Sequence, residues 1–141
     1  MRKSIRNLSI IIFLVVLVLP FFPVVVVPEW KVQLVDSEGH PAPNVKVDQI
    51  WKEYSLEFWR SGENVEHDFL SDADGFITFP ERSIRVSVFQ LAVSKLRSLA
   101  LSINPHASFG SHAYLQCREK RICNVSYNDG VEIPQHVLVG D

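Results

Sequence analysis

From Leu8 to Val27 the chain carries no charged residue and consists mostly of Ile, Leu, Val and Phe, behind a flank holding Arg2, Lys3 and Arg6. A run of about 20 such residues is the length that crosses the hydrocarbon core of a bilayer. A Lys or Arg at the bilayer centre would cost about 3 kcal/mol, so a charge-free run is a membrane signal. The pattern predicts an N-terminal transmembrane helix across residues 8–27, its cationic flank cytoplasmic and the chain beyond about Pro28 on the other side. Pro20 and Pro23 argue against a buried core helix, whose freed backbone groups would need new partners. No small-x-small cleavage site follows the run, where Pro20, Phe21, Phe22, Pro23 and four valines stand. No cysteine nearby offers a lipid attachment. The reading therefore favours an uncleaved signal anchor over a cleaved signal peptide. The expected division is an anchor at 1–28 and an extracytoplasmic β domain at 29–141. The expected location is the cell membrane, single-pass, with the C-terminal domain periplasmic or extracellular.

Every acidic residue follows the apolar run, which leaves 11 basic against 16 acidic residues in the rest of the chain. Such a domain repels phosphate backbones, and no basic patch with interleaved aromatics stands against that, so nucleic-acid binding is not expected.

The exported part is patterned mainly as β. Trp30-Lys31-Val32-Gln33-Leu34 alternates apolar and polar residues, the period of a half-buried strand. Asp36 to Gly39 supplies turn residues, with Pro41 and Pro43 after it. Val45 to Asp48 resumes the alternation, and Ile50-Trp51 breaks its phase, which suggests a bulge. Glu66–Leu70 and Phe76–Phe79 read as two strands of a hairpin, joined by the turn Ser71-Asp72-Ala73-Asp74-Gly75. The period then changes to three and four. Phe89, Ala92, Val93, Leu96, Leu99, Ala100 and Ile103 form one stripe of a helix over about 86–104, ended by Asn104-Pro105. The stripe is expected to cover an open face of the β domain. Short apolar runs at Ala113–Leu115, Ile122–Tyr127 and Val137–Val139 return to β, so strands bracket one inserted helix.

The segment Val32 to Asp36 with Gly39-His40-Pro41 and Asn44 to Val47 resembles the opening hairpin of carboxypeptidase regulatory-like domains. The acidic turn and aromatic strand from Ser71 to Phe79 resembles the second signature of the same family. The likeness covers about Trp30 to Pro80. It implies a transthyretin-like Greek-key β-sandwich of about seven strands, usually non-catalytic and attached to exported proteins. Two enzyme branches share that general sandwich. Hydroxyisourate hydrolases end in Tyr-Arg-Gly-Ser, whereas this chain ends His136-Val137-Leu138-Val139-Gly140-Asp141. Intradiol dioxygenases need two closely spaced histidines on one strand, and no His-x-His occurs. Neither activity is carried over.

The chemistry-bearing candidates are few. Asp72 and Asp74 resemble the start of a calcium loop, but Ile77 and Phe79 stand where further oxygen ligands belong, so a plain turn is expected. His106 and His112, with Ser108 between them, are candidates for a metal site or a Ser–His pair; a metal site would need a third ligand from His67 or an acid. The alternative is that they bond loop backbone. Cys117 and Cys123 are too widely spaced for the usual Cys-x-x-Cys motif and read as a disulfide closing a hairpin in an oxidising compartment. Trp51, Tyr54 and Trp59, with Phe58, offer aromatic faces to a glycan or serve packing. The sequence thus predicts no catalytic residue, no resident metal and no cofactor. It describes a membrane-tethered module with the membrane and an envelope protein or glycan as partners. A hydrolase using His106 and His112, and a glycan-binding module, stand as alternatives.

Overall fold

The computed structural model describes residues 2–101, 109–118, 122, 123, 125–128, 131 and 134–140. The apolar run does not become one helix. It divides into a helix α1, Arg2–Val18, and a strand β1, Phe22–Val27. Pro20 supplies no N–H to continue the helix and holds Leu19 away from the α region. The four valines after Pro23 are β-branched and favour a pleated backbone. At about 1.5 Å per residue, the 17 residues of α1 fall short of a hydrocarbon core of about 30 Å. Among the described residues no helix is long and apolar enough to cross a membrane. The transmembrane helix expected over residues 8–27 is therefore not formed, and the last part of that run belongs to the β fold. Val26 and Val27 are fully buried beside Trp51 and Ala113.

The strands that follow are β2 (Trp30–Val35), β3 (Lys46–Glu53), β4 (Asn64–Leu70), β5 (Phe76–Phe79) and β6 (Arg82–Val86). After helix α2 (Val88–Leu101) come β7 (Ser111–Cys117), β8 (Ile122–Cys123), β9 (Val125–Asn128) and β10 (His136–Gly140). They form three sheets, ordered β5-β2-β10-β8, β4-β3-β7-β9 and the pair β1-β6. The expected seven-stranded Greek-key sandwich is corrected accordingly: among the described residues there are ten strands in three sheets. The added pair exists because the valines of β1 find a partner edge in β6, where Phe22 stands opposite Val86 and Val24 opposite Ile84.

The two four-stranded sheets contribute a common core. Val32, Leu34 and Phe79 from one meet Val47, Leu115 and Val125 from the other. In β2 the alternation holds, with Trp30, Val32 and Leu34 buried and Lys31 exposed. In β3 it does not, because nearly every residue is buried on one face or the other. Ile50 and Trp51 break phase for that reason. The irregularity lies earlier, between Val47 and Gln49, where the register with β4 shifts.

The hairpin expected from Glu66 to Phe79 is also corrected. Both strands and the turn exist, but β4 pairs with β3 and β5 pairs with β2. The turn is thus a corner between sheets. Asp72 Oδ1 accepts from the N–H groups of Asp74 (3.0 Å) and Phe76 (2.8 Å), and Gly75 carries the positive φ of 77°. This oxygen serves the turn. Ser71, buried, donates to Ala42 O and accepts from Val45 N–H, both at 2.8 Å, so it ties the corner to the loop after β2.

Helix α2 starts with a reciprocal cap. Ser87 Oγ accepts from Gln90 N–H (3.2 Å) and Gln90 Oε1 accepts from Ser87 N–H (2.7 Å). Its expected end at Ile103-Asn104-Pro105 lies outside the described residues. Among its described residues the apolar stripe does not lie over a sheet: α2 stands beside α1, with Phe89, Leu96 and Leu99 exposed.

Candidate functional site

The β3 residues that face away from the common core are Asp48, Ile50, Lys52 and, just beyond its end, Tyr54. Register places Gln116 opposite Asp48, Tyr114 opposite Ile50 and His112 opposite Lys52 on β7, with Val65 opposite Ile50 on β4. This outer face carries most of the polar chemistry of the described residues, in two clusters.

The first is built on the bulge. Asp48 Oδ2 accepts from Arg118 Nε at 2.9 Å and lies 3.0 Å from His67 Nδ1, while Oδ1 accepts from Asp68 N–H at 3.2 Å. Arg118 also reaches Asp68 Oδ1 at 3.2 Å and His67 Nδ1 at 2.8 Å. Asp68 has a φ of 66°, rare outside glycine, which turns its N–H toward Asp48. Burial raises the Asp48 carboxyl, but the bonds from Arg118, His67 and Asp68 outweigh it and hold the group below its ordinary value. The same pairing raises Arg118.

The second cluster centres on Glu63. Its two oxygens accept from the phenols of Tyr54 (2.5 Å) and Tyr114 (3.0 Å). The bond to Glu63, with burial and the carboxylate charge, pushes Tyr54 up to about 12. Burial first, then Glu63, raises Tyr114 as well. His112 meets Tyr54 edge-on at 5.3 Å. Behind Tyr54, buried Glu53 accepts from Ser55 N–H (2.9 Å), from the Ser55 hydroxyl and from Ser111 Oγ (2.6 Å), which fixes the corner from β3 into the next loop. Both clusters use carboxylates as acceptors that lock neighbouring side chains.

The sequence-derived candidates fall in different places. His112 lies on this face, while His106 and Ser108 lie outside the described residues. Among the described residues no group of three His, Cys, Asp or Glu is placed to hold a metal. Trp51 is buried in the core beside Val26 and Val27, Tyr54 is bonded to Glu63, and Trp59 is 57% exposed against Phe58. The three aromatics are not brought into one platform. Cys117 and Cys123 are at disulfide distance, with Cα atoms 5.4 Å apart. They join β7 of one sheet to β8 of the other, where a hairpin end was expected. Asp48, Glu63, His67, Tyr114 and Arg118 were missed as a group. Alternation alone puts Asp48 and Lys52 on one face, but only the strand register brings the others to it.

The helical part of the molecule presents apolar surface. Ile11, Ile12, Phe13 and Leu14 are 57, 54, 66 and 51% exposed, so α1 presents apolar side chains around its whole circumference. An open cavity of about 410 Å³ lies where Val18 and Pro20 meet Phe58, Trp59 and Phe89, with Arg85, Ser87 and Gln90 completing it. Arg97 sits 5.0 Å from the Phe58 ring and braces this corner from α2.

No protein-family model, curated protein or solved structure matches this chain.

Proposed function

We propose that this chain is an exported, non-catalytic β module of the cell envelope, and that its helical side is its attachment surface, with α1 seated in lipid without crossing it. The observation that carries the reading is the all-round apolar exposure of α1. A protein partner covers one face of a helix, whereas four consecutive exposed apolar residues point in every direction and need a medium that surrounds them. The cationic start of the chain suits an anionic lipid surface. Cys117 and Cys123 at bonding distance suit an oxidising compartment. What supports kinship with carboxypeptidase regulatory-like domains is the contact between the two turns that carry the resemblance. Leu34 N–H donates to Gly75 O at 2.8 Å and Ala42 N–H to Leu34 O at 2.9 Å.

Flotation of the full chain with phosphatidylcholine vesicles tests the attachment. The chain is expected to float with the vesicles and to stay in solution when Ile12 and Phe13 are both replaced by Glu. Equal flotation of that variant, or no flotation of the native chain, overturns the reading.

A further inference from the structure

We propose that the cavity between the end of α1, the start of α2 and the Phe58–Trp59 corner binds a single-chain fatty carboxylate, its hydrocarbon against the aromatic wall and its head on Arg85. The volume, about 410 Å³, is in the range of small-molecule pockets of roughly 300–1,000 Å³. Val18, Pro20, Phe58, Trp59 and Phe89 give it an apolar wall, and among the described residues no acidic one lines it. Phe58 and Trp59 meet edge-on at 4.9 Å, which presents the flat faces of both rings to different sides of the corner. Among the described residues Arg85 is the one charged lining residue. Its neighbour in β6, Arg82, is engaged by Gln49 and Glu66, whereas Arg85 makes no ion pair among the described residues. The positive end of α2 opens beside it, and the first turn of α2 contains no acidic residue. The Ser87–Gln90 cap uses those two side chains locally, so Arg85 is left to meet the head group. One cation at the rim of an apolar wall is the complement of a chain with one anionic end. The occupant is named by that complementarity and goes beyond the attachment role.

The probe is ω-bromoundecanoate, whose bromine quenches nearby indole, added to the full chain held in a fluorinated surfactant that does not mix with hydrocarbon. Trp30 and Trp51 are buried in the core, so Trp59 is the indole within reach. Quenching is expected to saturate, to vanish in Trp59→Phe, and to need about tenfold more probe in Arg85→Gln, the loss of one charged bond. The uncharged ω-bromoundecanol is expected to bind the native chain as weakly as the acid binds Arg85→Gln. Phe89→Asp, which sets a carboxylate against the same wall, is expected to exclude the acid even if Arg85→Gln perturbs β6. Quenching that rises without saturation, or equal affinity for acid and alcohol, overturns the proposal. The flotation result is independent: a chain that floats but shows no saturable quenching loses this site alone, and one that binds the acid without floating loses the attachment reading alone.

Discussion

Asp48 sits in the most buried strand of the molecule and still carries a charge, because three donors converge on it. Its carboxyl is held below the ordinary value, so the native state binds its proton less readily than the unfolded chain does. That stabilisation is present above the unfolded value of about 3.9 and is lost as pH falls through the lower folded value. Asp48→Asn is therefore expected to lower stability at neutral pH by about 1–3 kcal/mol, the cost of weakening a buried charged acceptor. The gap between variant and native chain should close in acid. Urea midpoints measured at neutral pH and below about pH 3 check this; a gap that persists in acid would assign the loss to packing. Glu63 gives an independent reading at the alkaline end. Tyr54, pushed up to about 12, keeps its phenol proton longer in the native state than in the unfolded chain. Its contribution is full below the ordinary value of about 10 and is lost as pH rises toward 12. In Glu63→Gln the absorbance titration of Tyr54 should move back toward 10, since the carboxylate charge and its strong acceptor are both gone. A Tyr54 midpoint unchanged in that variant would show that burial alone sets it. Neither cluster announces itself in the sequence, because Asp48 and Arg118 are 70 residues apart and Tyr114 and Glu63 are 51 apart.

At the scale of elements, the local chemistry of the chain was legible and the pairing was not. The alternation of β2, the Asp-led turn at Asp72 and the helix at α2 follow from period and turn residues, and each forms. What single residues do not encode is the choice of partner. The turn from Ser71 to Gly75 serves equally as a hairpin or as a corner, and it becomes a corner because β5 extends the edge of β2. The run from Ile122 to Tyr127 likewise divides between sheets, β8 pairing with β10 and β9 with β7. The apolar N-terminal run misled for a related reason. Composition reports affinity for an apolar medium, and both lipid and a protein core supply one, so Val26 and Val27 were free to choose the core. The corner also makes a specific demand. A Cβ on Gly75 would stand 2.6 Å from Leu34 O, part of the backbone that joins the two turns, while a Cβ on Gly39 meets nothing within 4 Å. Both glycines have positive φ, 77° and 85°. Gly39→Ala should therefore cost only the left-handed conformation, about 1 kcal/mol, and Gly75→Ala clearly more, about 2 kcal/mol or above. Thermal or urea unfolding of the pair decides it, and equal losses would mean that the corner yields to the added methyl.

For the whole molecule the division is between a β body with a filled core and a helical side with apolar surface facing outward. Leu96 tests that division. It belongs to the stripe that the sequence directs toward a sheet, yet it is 68% exposed in α2. A side chain so placed loses little contact with protein on replacement, and surface changes away from special features usually stay within about 0.5 kcal/mol. Leu96→Asp should then leave the denaturation midpoint of the full chain nearly where it was. Phe79→Ala, in the common core and fully buried, should cost about 3–5 kcal/mol and sets the scale for a true core position. If the helical side is the attachment surface, Leu96→Asp should at the same time weaken vesicle flotation, because a carboxylate in that surface must keep its water. An intact midpoint with weakened flotation assigns the stripe to attachment. A midpoint lowered as far as that of Phe79→Ala would mean that α2 closes onto protein in solution, and the outward helical side would have to be abandoned. The measurement needs no knowledge of the ligand, since it asks only which medium the stripe is built to meet.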